Sequence, residues 1–118
     1  MQRSMLKSKI HKAVITQADL NYNGSLTIDS ELMAAVGLVP FEKIEVYNIN
    51  NGERFNTYTI EGEPGSGVIG LNGAAARKGL VGDRIIIVSY ALFSDDELSA
   101  YAPQIVILDR NNRINKKI

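Results

Sequence analysis

The chain has 118 residues, 45% of them hydrophobic, and its thirteen basic and thirteen acidic residues leave no net charge. This size and balance predict one domain, residues 1–118, with a buried core and with no nucleic-acid or membrane-surface partner. The absence of cysteine excludes disulfides and thiolate chemistry, and a single histidine, His11, excludes a three-histidine zinc site within one chain, so no metal site is predicted.

No apolar run reaches the roughly 18 residues that a membrane-spanning helix needs, and no apolar segment follows the first basic residues. We therefore expect a cytoplasmic protein. A lone histidine is more often a hydrogen-bonded structural residue than a catalyst, and the sequence leaves the role of His11 open.

The first predicted strand is Met5–Ala18, on which Lys9 and His11 share a face. The polar stretch Asp19–Gly24 predicts a tight turn. On its own, the pair Gly24-Ser25 is typical of a turn between two strands.

Extended structure resumes at Leu26–Ile28, and Asp29 is placed to cap a short helix, Ser30–Val36, which Gly37 ends. We interpret Asp29 as a helix cap rather than as a catalytic residue.

A second strand, Glu42–Asn50, leads into Asn51-Gly52, the strongest hairpin signal in the chain. On the return strand, Glu53–Ile60, the side chains of Arg54 and Tyr58 share a face but lie about 13 Å apart on an ideal strand. They can contact one small ligand only through their long side chains or on a bent strand.

After a short strand, Val68–Leu71, the small residues Asn72–Ala76 allow two interpretations of equal weight. They can let a ligand approach the backbone and its free N–H groups. They can equally begin a short helix capped by an asparagine.

The turn Gly82-Asp83 precedes Arg84–Ala91, whose unbroken β-branched run predicts a central strand. Ser94–Glu97 is a capping box that opens a short helix, which we prefer to a metal site at its acidic pair. A last strand, Gln104–Leu108, is followed by Asp109–Ile118, predicted to be a frayed or partner-contacting tail.

These patterns add up to six or seven short strands and two or three short helices. The spacing between strands is too tight for repeated βαβ units. The sequence therefore predicts a mainly β fold, a small closed barrel.

Four separated segments together resemble the bacterial aspartate 1-decarboxylases, pyruvoyl enzymes that make β-alanine and CO2 from L-aspartate for pantothenate synthesis. The segments are Tyr22–Asp29, Asn51–Tyr58, Asn72–Ala76, and Gly82-Asp83 before an Ile/Val run. The likeness extends from about residue 1 to residue 103, in order and with natural spacing. It implies a double-psi β-barrel and a homotetramer with active sites between subunits.

The resemblance also implies that the chain is made as an inactive proenzyme. The Ser25 hydroxyl attacks the carbonyl of Gly24, an N-to-O acyl shift gives an ester, and elimination separates residues 1–24, the β-chain, from residues 25–118, the α-chain. Ser25 thereby becomes a pyruvoyl group, and Thr57 assists the cleavage. The ketone of this cofactor forms a Schiff base with the substrate amine and acts as an electron sink.

Further roles follow from the same resemblance. Tyr58 corresponds to the proton donor, Thr57 also contacts the substrate, and Lys9 and Arg54 correspond to the side chains that bind its carboxylates. The substrate-binding turn corresponds to Asn72, Gly73, Ala74 and Ala75.

Two alternatives remain open at this stage, and a third lacks support. A pyruvoyl decarboxylase for another amino acid would share the same cleavage, whereas a non-catalytic binding barrel would remain one intact chain of 12.9 kDa. An ordinary serine hydrolase lacks support, because no Gly-x-Ser-x-Gly turn is present and the chain has one histidine. The sequence does not show whether cleavage needs a maturation factor.

Overall fold

The computed structural model describes all 118 residues and is mainly β. Its nine strands are β1 (Gln2–Val14), β2 (Gln17–Asp19), β3 (Ser25–Asp29), β4 (Lys43–Asn48), β5 (Arg54–Gly62), β6 (Ile69–Asn72), β7 (Arg84–Ser94), β8 (Gln104–Leu108) and β9 (Ile114–Lys117). One α-helix, α1 (Ser30–Ala35), and two 3₁₀ helices, Gly73–Arg77 and Glu97–Ala100, complete the fold. The two or three predicted short helices are confirmed.

The strand order, β2-β6-β3-β5-β4-β7-β1-β8-β9, describes a closed barrel. Strand β1 runs on into β2 through Ile15 and Thr16, so the first and seventh positions of this order belong to one continuous stretch of chain. The Thr16 amide donates to the carbonyl of Ile69 at 2.8 Å, which continues the pairing across the junction. The barrel thus has six strands when β1 and β2 are counted as one. Strands β8 and β9 extend it as an outer hairpin.

Two neighbouring pairs of barrel strands, β2 with β6 and β3 with β5, are parallel, and the other four are antiparallel. Parallel neighbours need connections that cross over the barrel instead of hairpins. The predicted mainly β, small barrel is confirmed, and its pairing includes two parallel neighbours that hairpins cannot join.

A bulge in β1 interrupts the alternation of inward and outward side chains along this strand. Ile10 pairs with Ile87 and Ala13 pairs with Ile85, so β1 has one residue more than β7 between these pairs. Lys12, inside the bulge, has a φ of 66°. The extra residue moves Ala13 to the inner face, where it joins Ile10 in a core cluster of 18 buried residues.

Asp29 caps α1 as predicted, since its carboxylate accepts from the Glu31 amide at 2.9 Å. The same carboxylate, 2% exposed, also accepts from the amides of Gly65 at 3.0 Å and Gly67 at 2.9 Å. One buried side chain therefore fixes both the start of the helix and the loop after β5.

We expect Asp29→Ala to lower the free energy of unfolding by about 2–4 kcal/mol, because three amides lose their acceptor in a buried place. Guanidinium unfolding measures this loss. The matched control is Asp109→Ala, since Asp109 also accepts from two amides but lies on the surface. Equal losses in the two variants would contradict the account.

The predicted tail is wrong in one respect. Residues 114–117 are not frayed but form β9, which pairs antiparallel with β8. Asn112, in the turn between them, is buried, and its side-chain amide donates to the carbonyls of Val14 and Gly67, both at 2.8 Å. This strand and the separate β2 raise the number of strands from the predicted six or seven to nine.

Candidate active site

Ser25 is the first residue of β3 and is only 1% exposed. It pairs with Asn72 of β6, whose side-chain Nδ2 donates to Ser25 Oγ at 2.9 Å and to Thr27 Oγ1 at 2.8 Å. The Ser25 hydroxyl itself donates to the carbonyl of Asn23 at 3.4 Å. The hydroxyl is therefore held in place beside the peptide bond that joins it to Gly24.

The small-residue segment after β6 forms the 3₁₀ helix Gly73–Arg77, with Asn72 at the N-cap position. The Asn72 side chain makes no capping hydrogen bond, because it is directed to Ser25 and Thr27 instead. The short helix that the sequence allowed after Asn72 is therefore present. The Asn72 side chain does not cap it, but donates a hydrogen bond to Ser25.

Gly73 lets the chain before Ser25 approach this helix closely. Its φ is 62°, and a Cβ on it would lie 2.8 Å from the backbone N and Cα of Gly24 and from the carbonyl oxygen of Tyr22. A larger residue at position 73 would displace the segment that ends at Gly24.

A pocket of about 370 Å³ opens beside this segment. Five predicted site residues line it: Gly24, Thr57, Tyr58, Ala74 and Ala75. The pocket also includes three residues that we did not predict: Phe55, Asn56 and Lys78. Asn56 could have been predicted from the sequence, because side chains alternate along β5 and Asn56 lies on the same face as Tyr58.

Arg54 and Lys9 do not line this pocket. The Arg54 guanidinium lies 3.9 Å from the ring centroid of Tyr47, its partner across β4 and β5. Lys9 pairs with Val88 on β7, so two strands separate it from the strand of Arg54. Three strand spacings amount to roughly 14 Å, so the two side chains start from separate positions around the barrel.

His11 lies on β1, away from the pocket. Burial lowers the pKa of His11 below its usual 6.5, and the nearby positive charges of Lys9, Lys12 and Arg84 lower it further. Its Nδ1 is buried and has no hydrogen-bond partner in the chain. The preferred interpretation of a hydrogen-bonded structural histidine is therefore not supported at this nitrogen.

No group of three or more His, Asp or Glu side chains is arranged to hold a metal ion. No helix in the structure has the length and apolar character to cross a membrane.

Comparison with solved structures gives two similar designed proteins. The rationally designed mkDPBB_sym_86 protein has a TM-score of 0.49 at 15% identity and covers 65% of this chain and 90% of its own. The rationally designed mkDPBB_sym1 protein has a TM-score of 0.48 at 19% identity, covering 72% and 96%. Both TM-scores are below 0.5, so the fold described above rests on the strand pairing.

Comparison with sequences is more specific. A family model described as aspartate decarboxylase matches residues 1–115. A protein of Desulfotalea psychrophila named aspartate 1-decarboxylase is 60% identical and covers 98% of both chains. Proteins of the same name from Thermoanaerobacter pseudethanolicus and Cupriavidus necator are 58% and 54% identical, over 96% and 98% of this chain and 97% of each relative. The chain belongs to the aspartate decarboxylase family.

Proposed function

We propose that this chain is a pyruvoyl-dependent decarboxylase that converts L-aspartate to β-alanine and CO2 after cutting itself between Gly24 and Ser25. The observation that carries the proposal is Ser25. It is buried, Asn72 holds its hydroxyl, and it follows directly a glycine that lines a pocket. The family to which the chain belongs supports the same reaction.

The self-cleavage uses atoms of the chain and one water. Ser25 Oγ bonds to the carbonyl carbon of Gly24, its proton passes to the peptide nitrogen, and the amide becomes an ester. Loss of the Ser25 α-proton then breaks the bond between Cβ and Oγ of residue 25, so residues 1–24 leave with Oγ in the carboxylate of Gly24 and a Cα=Cβ double bond remains at residue 25. Water replaces the amine of residue 25, ammonia departs, and a ketone remains at the start of residues 25–118.

The surroundings of Gly24 suit the first step. An ideal Cβ built on Gly24 has no atom within 4 Å, so the space beside its carbonyl is open. Thr57 lines the same pocket and brings a hydroxyl that can donate to the oxyanion formed at the Gly24 carbonyl. The Asn72 amide orients the attacking oxygen through its bond to Ser25 Oγ.

The residues around position 25 also fit the cofactor that this cleavage makes. When formed, the pyruvoyl group supplies a carbonyl that accepts the substrate amine and withdraws electrons as CO2 leaves. Ala74 and Ala75 leave room beside it for a small substrate. Tyr58 supplies its hydroxyl proton to the former α-carbon of the substrate once CO2 has left.

The proposed substrate, L-aspartate, has two carboxylates, and the site must bind both until one of them leaves as CO2. Arg54 can bind a carboxylate through two parallel hydrogen bonds, and Lys9 can pair with a carboxylate as a point charge. Because neither side chain lines the pocket of its own chain, we assign them to the pockets of neighbouring copies, in a homotetramer of cleaved chains. The proposed setting is pantothenate synthesis in the cytoplasm, with a maturation factor as a further candidate partner.

The proposed function predicts that the purified, aged protein forms β-alanine from L-aspartate and releases no CO2 from L-glutamate or L-serine. Arg54→Gln should raise KM by at least about tenfold, because a charge-assisted hydrogen bond to the substrate is worth roughly 1.5–3 kcal/mol. Arg110→Gln, a change of the same kind in the β8–β9 turn, serves as the control. Faster turnover of another amino acid than of L-aspartate would favour a pyruvoyl decarboxylase for that amino acid. No turnover of any amino acid would favour a non-catalytic binding module.

A further inference from the structure

Thr27 shares a hydrogen-bond donor with Ser25. It lies two residues further along β3, so the two side chains are on the same face of the strand. Leu26 and Ile28, on the opposite face, are buried in the core. Thr27 Oγ1 accepts from Asn72 Nδ2 at 2.8 Å, and the same nitrogen donates to Ser25 Oγ at 2.9 Å. Both protons of this amide nitrogen are therefore used, one by each hydroxyl.

The Asn72 side chain makes no other hydrogen bond within the chain. Two contacts thus fix the rotation of its amide group, and one of them is with the serine that reacts. Thr27 provides the contact that stays the same when Ser25 Oγ attacks and becomes part of an ester. The direction of the N–H group that faces the reacting oxygen therefore depends on Thr27.

The strand on the other side of β3 holds Thr27 in place. β3 pairs parallel with β5, and Thr27 lies opposite Ile60. A Cβ built on Gly62 would lie 3.0 Å from Cγ2 of Thr27, so the methyl group of the threonine packs against this glycine. A β-branched side chain is stiff about χ1. The packing of the methyl group therefore keeps the hydroxyl directed at Asn72.

Thr27 and Asn72 both line a polar cavity of about 380 Å³, together with Asp19 and Glu61. This cavity shares no lining residue with the pocket at Gly24. The Thr27 hydroxyl donates no hydrogen bond within the chain, and water in the cavity can accept its proton. The oxygen is thus free to accept from Asn72, and Thr27 acts on Ser25 through Asn72.

We propose that Thr27 is a positioning residue for the self-cleavage, because it keeps one N–H group of Asn72 directed at Oγ of residue 25. When the bond between Cβ and Oγ of residue 25 breaks, negative charge develops on Oγ. A donor that is already in place stabilises this charge without reorganisation. The inference rests on the proposed self-cleavage and assigns a further residue to it.

The test follows the cleavage of chains made by cell-free synthesis, with intact mass spectrometry at set times. Thr27→Val keeps the shape of the side chain but loses the hydroxyl. We expect it to cleave about tenfold more slowly than the wild type, which is roughly the effect of one lost hydrogen bond. Thr27→Ser restores the hydroxyl and should cleave within about twofold of the wild-type rate.

A double-mutant cycle with Asn72→Ala separates positioning from a general loss of stability. In the Asn72→Ala chain, Thr27→Val should slow cleavage by no more than about twofold, because the amide on which Thr27 acts is absent. The matched control is Thr59→Val on β5. Thr59 Oγ1 donates to the carbonyl of Val39 at 2.7 Å, so this variant should melt at a lower temperature but cleave at the wild-type rate.

The outcomes distinguish this inference from the proposed function. A wild-type chain that stays intact would overturn the proposed self-cleavage and the role of Thr27 with it. If the wild type cleaves and Thr27→Val cleaves equally fast, only the role of Thr27 is wrong. Slow cleavage of Thr27→Ser, an undiminished effect of Thr27→Val in the Asn72→Ala chain, or equal slowing in Thr59→Val would each overturn that role as well.

Discussion

Ser25→Ala stays a single uncleaved chain and makes β-alanine at least about 10⁴-fold more slowly than the wild type. The variant lacks both the nucleophile that opens the Gly24–Ser25 peptide and the atoms from which the electron sink is made. Denaturing gel electrophoresis and a β-alanine assay measure the two effects on the same sample.

The matched control for this substitution is Ser89→Ala, because Ser89 is equally buried but lies outside the pocket at Gly24. It should cleave at the wild-type rate. Cleavage of the Ser25→Ala chain between residues 24 and 25 would contradict the proposed chemistry.

Tyr58→Phe cleaves normally but loses decarboxylation by about 10²–10⁴ in kcat, which is the range for removal of a positioned general acid. The Tyr58 hydroxyl makes no hydrogen bond within the chain and its ring lies 6.2 Å from that of Phe41, so the change removes one proton donor and little packing. Mass analysis of the chains and steady-state kinetics separate cleavage from turnover.

Tyr101→Phe provides the control for this second variant. The Tyr101 hydroxyl donates to the carbonyl of Leu6, far from the pocket, so its loss affects stability and leaves kcat unchanged. Wild-type kcat in Tyr58→Phe would remove Tyr58 from the mechanism.

The features that the sequence predicted well are local. Asp29 caps a helix that begins at the next residue, and Asn51-Gly52 turns one strand into its neighbour, with Gly52 at a φ of 77°. In both cases a few adjacent residues determine the geometry. The reciprocal bonds of the predicted capping box are present, since the Ser94 amide donates to Glu97 and the Glu97 amide to the Ser94 hydroxyl, but the short helix begins only at Glu97, with Asp96 at its N-cap.

The features that the sequence did not show depend on distant parts of the chain. Residues 114–117 are all exposed and three of the four are polar, and they become a strand because β8 offers a pairing edge. The bond from Asn72 to Ser25 joins residues 47 positions apart, so composition alone left the role of Asn72 open. The separation of Lys9 from Arg54 follows from the order of strands around the barrel, which periodicity does not give.

Intact mass spectrometry of the purified, aged protein tests the central claim most directly. The account predicts two chains, one that ends at Gly24 and one that begins at position 25 with a group lacking the serine amine. A single chain with the full mass of 12.9 kDa, in a sample that makes no β-alanine from L-aspartate, would contradict it.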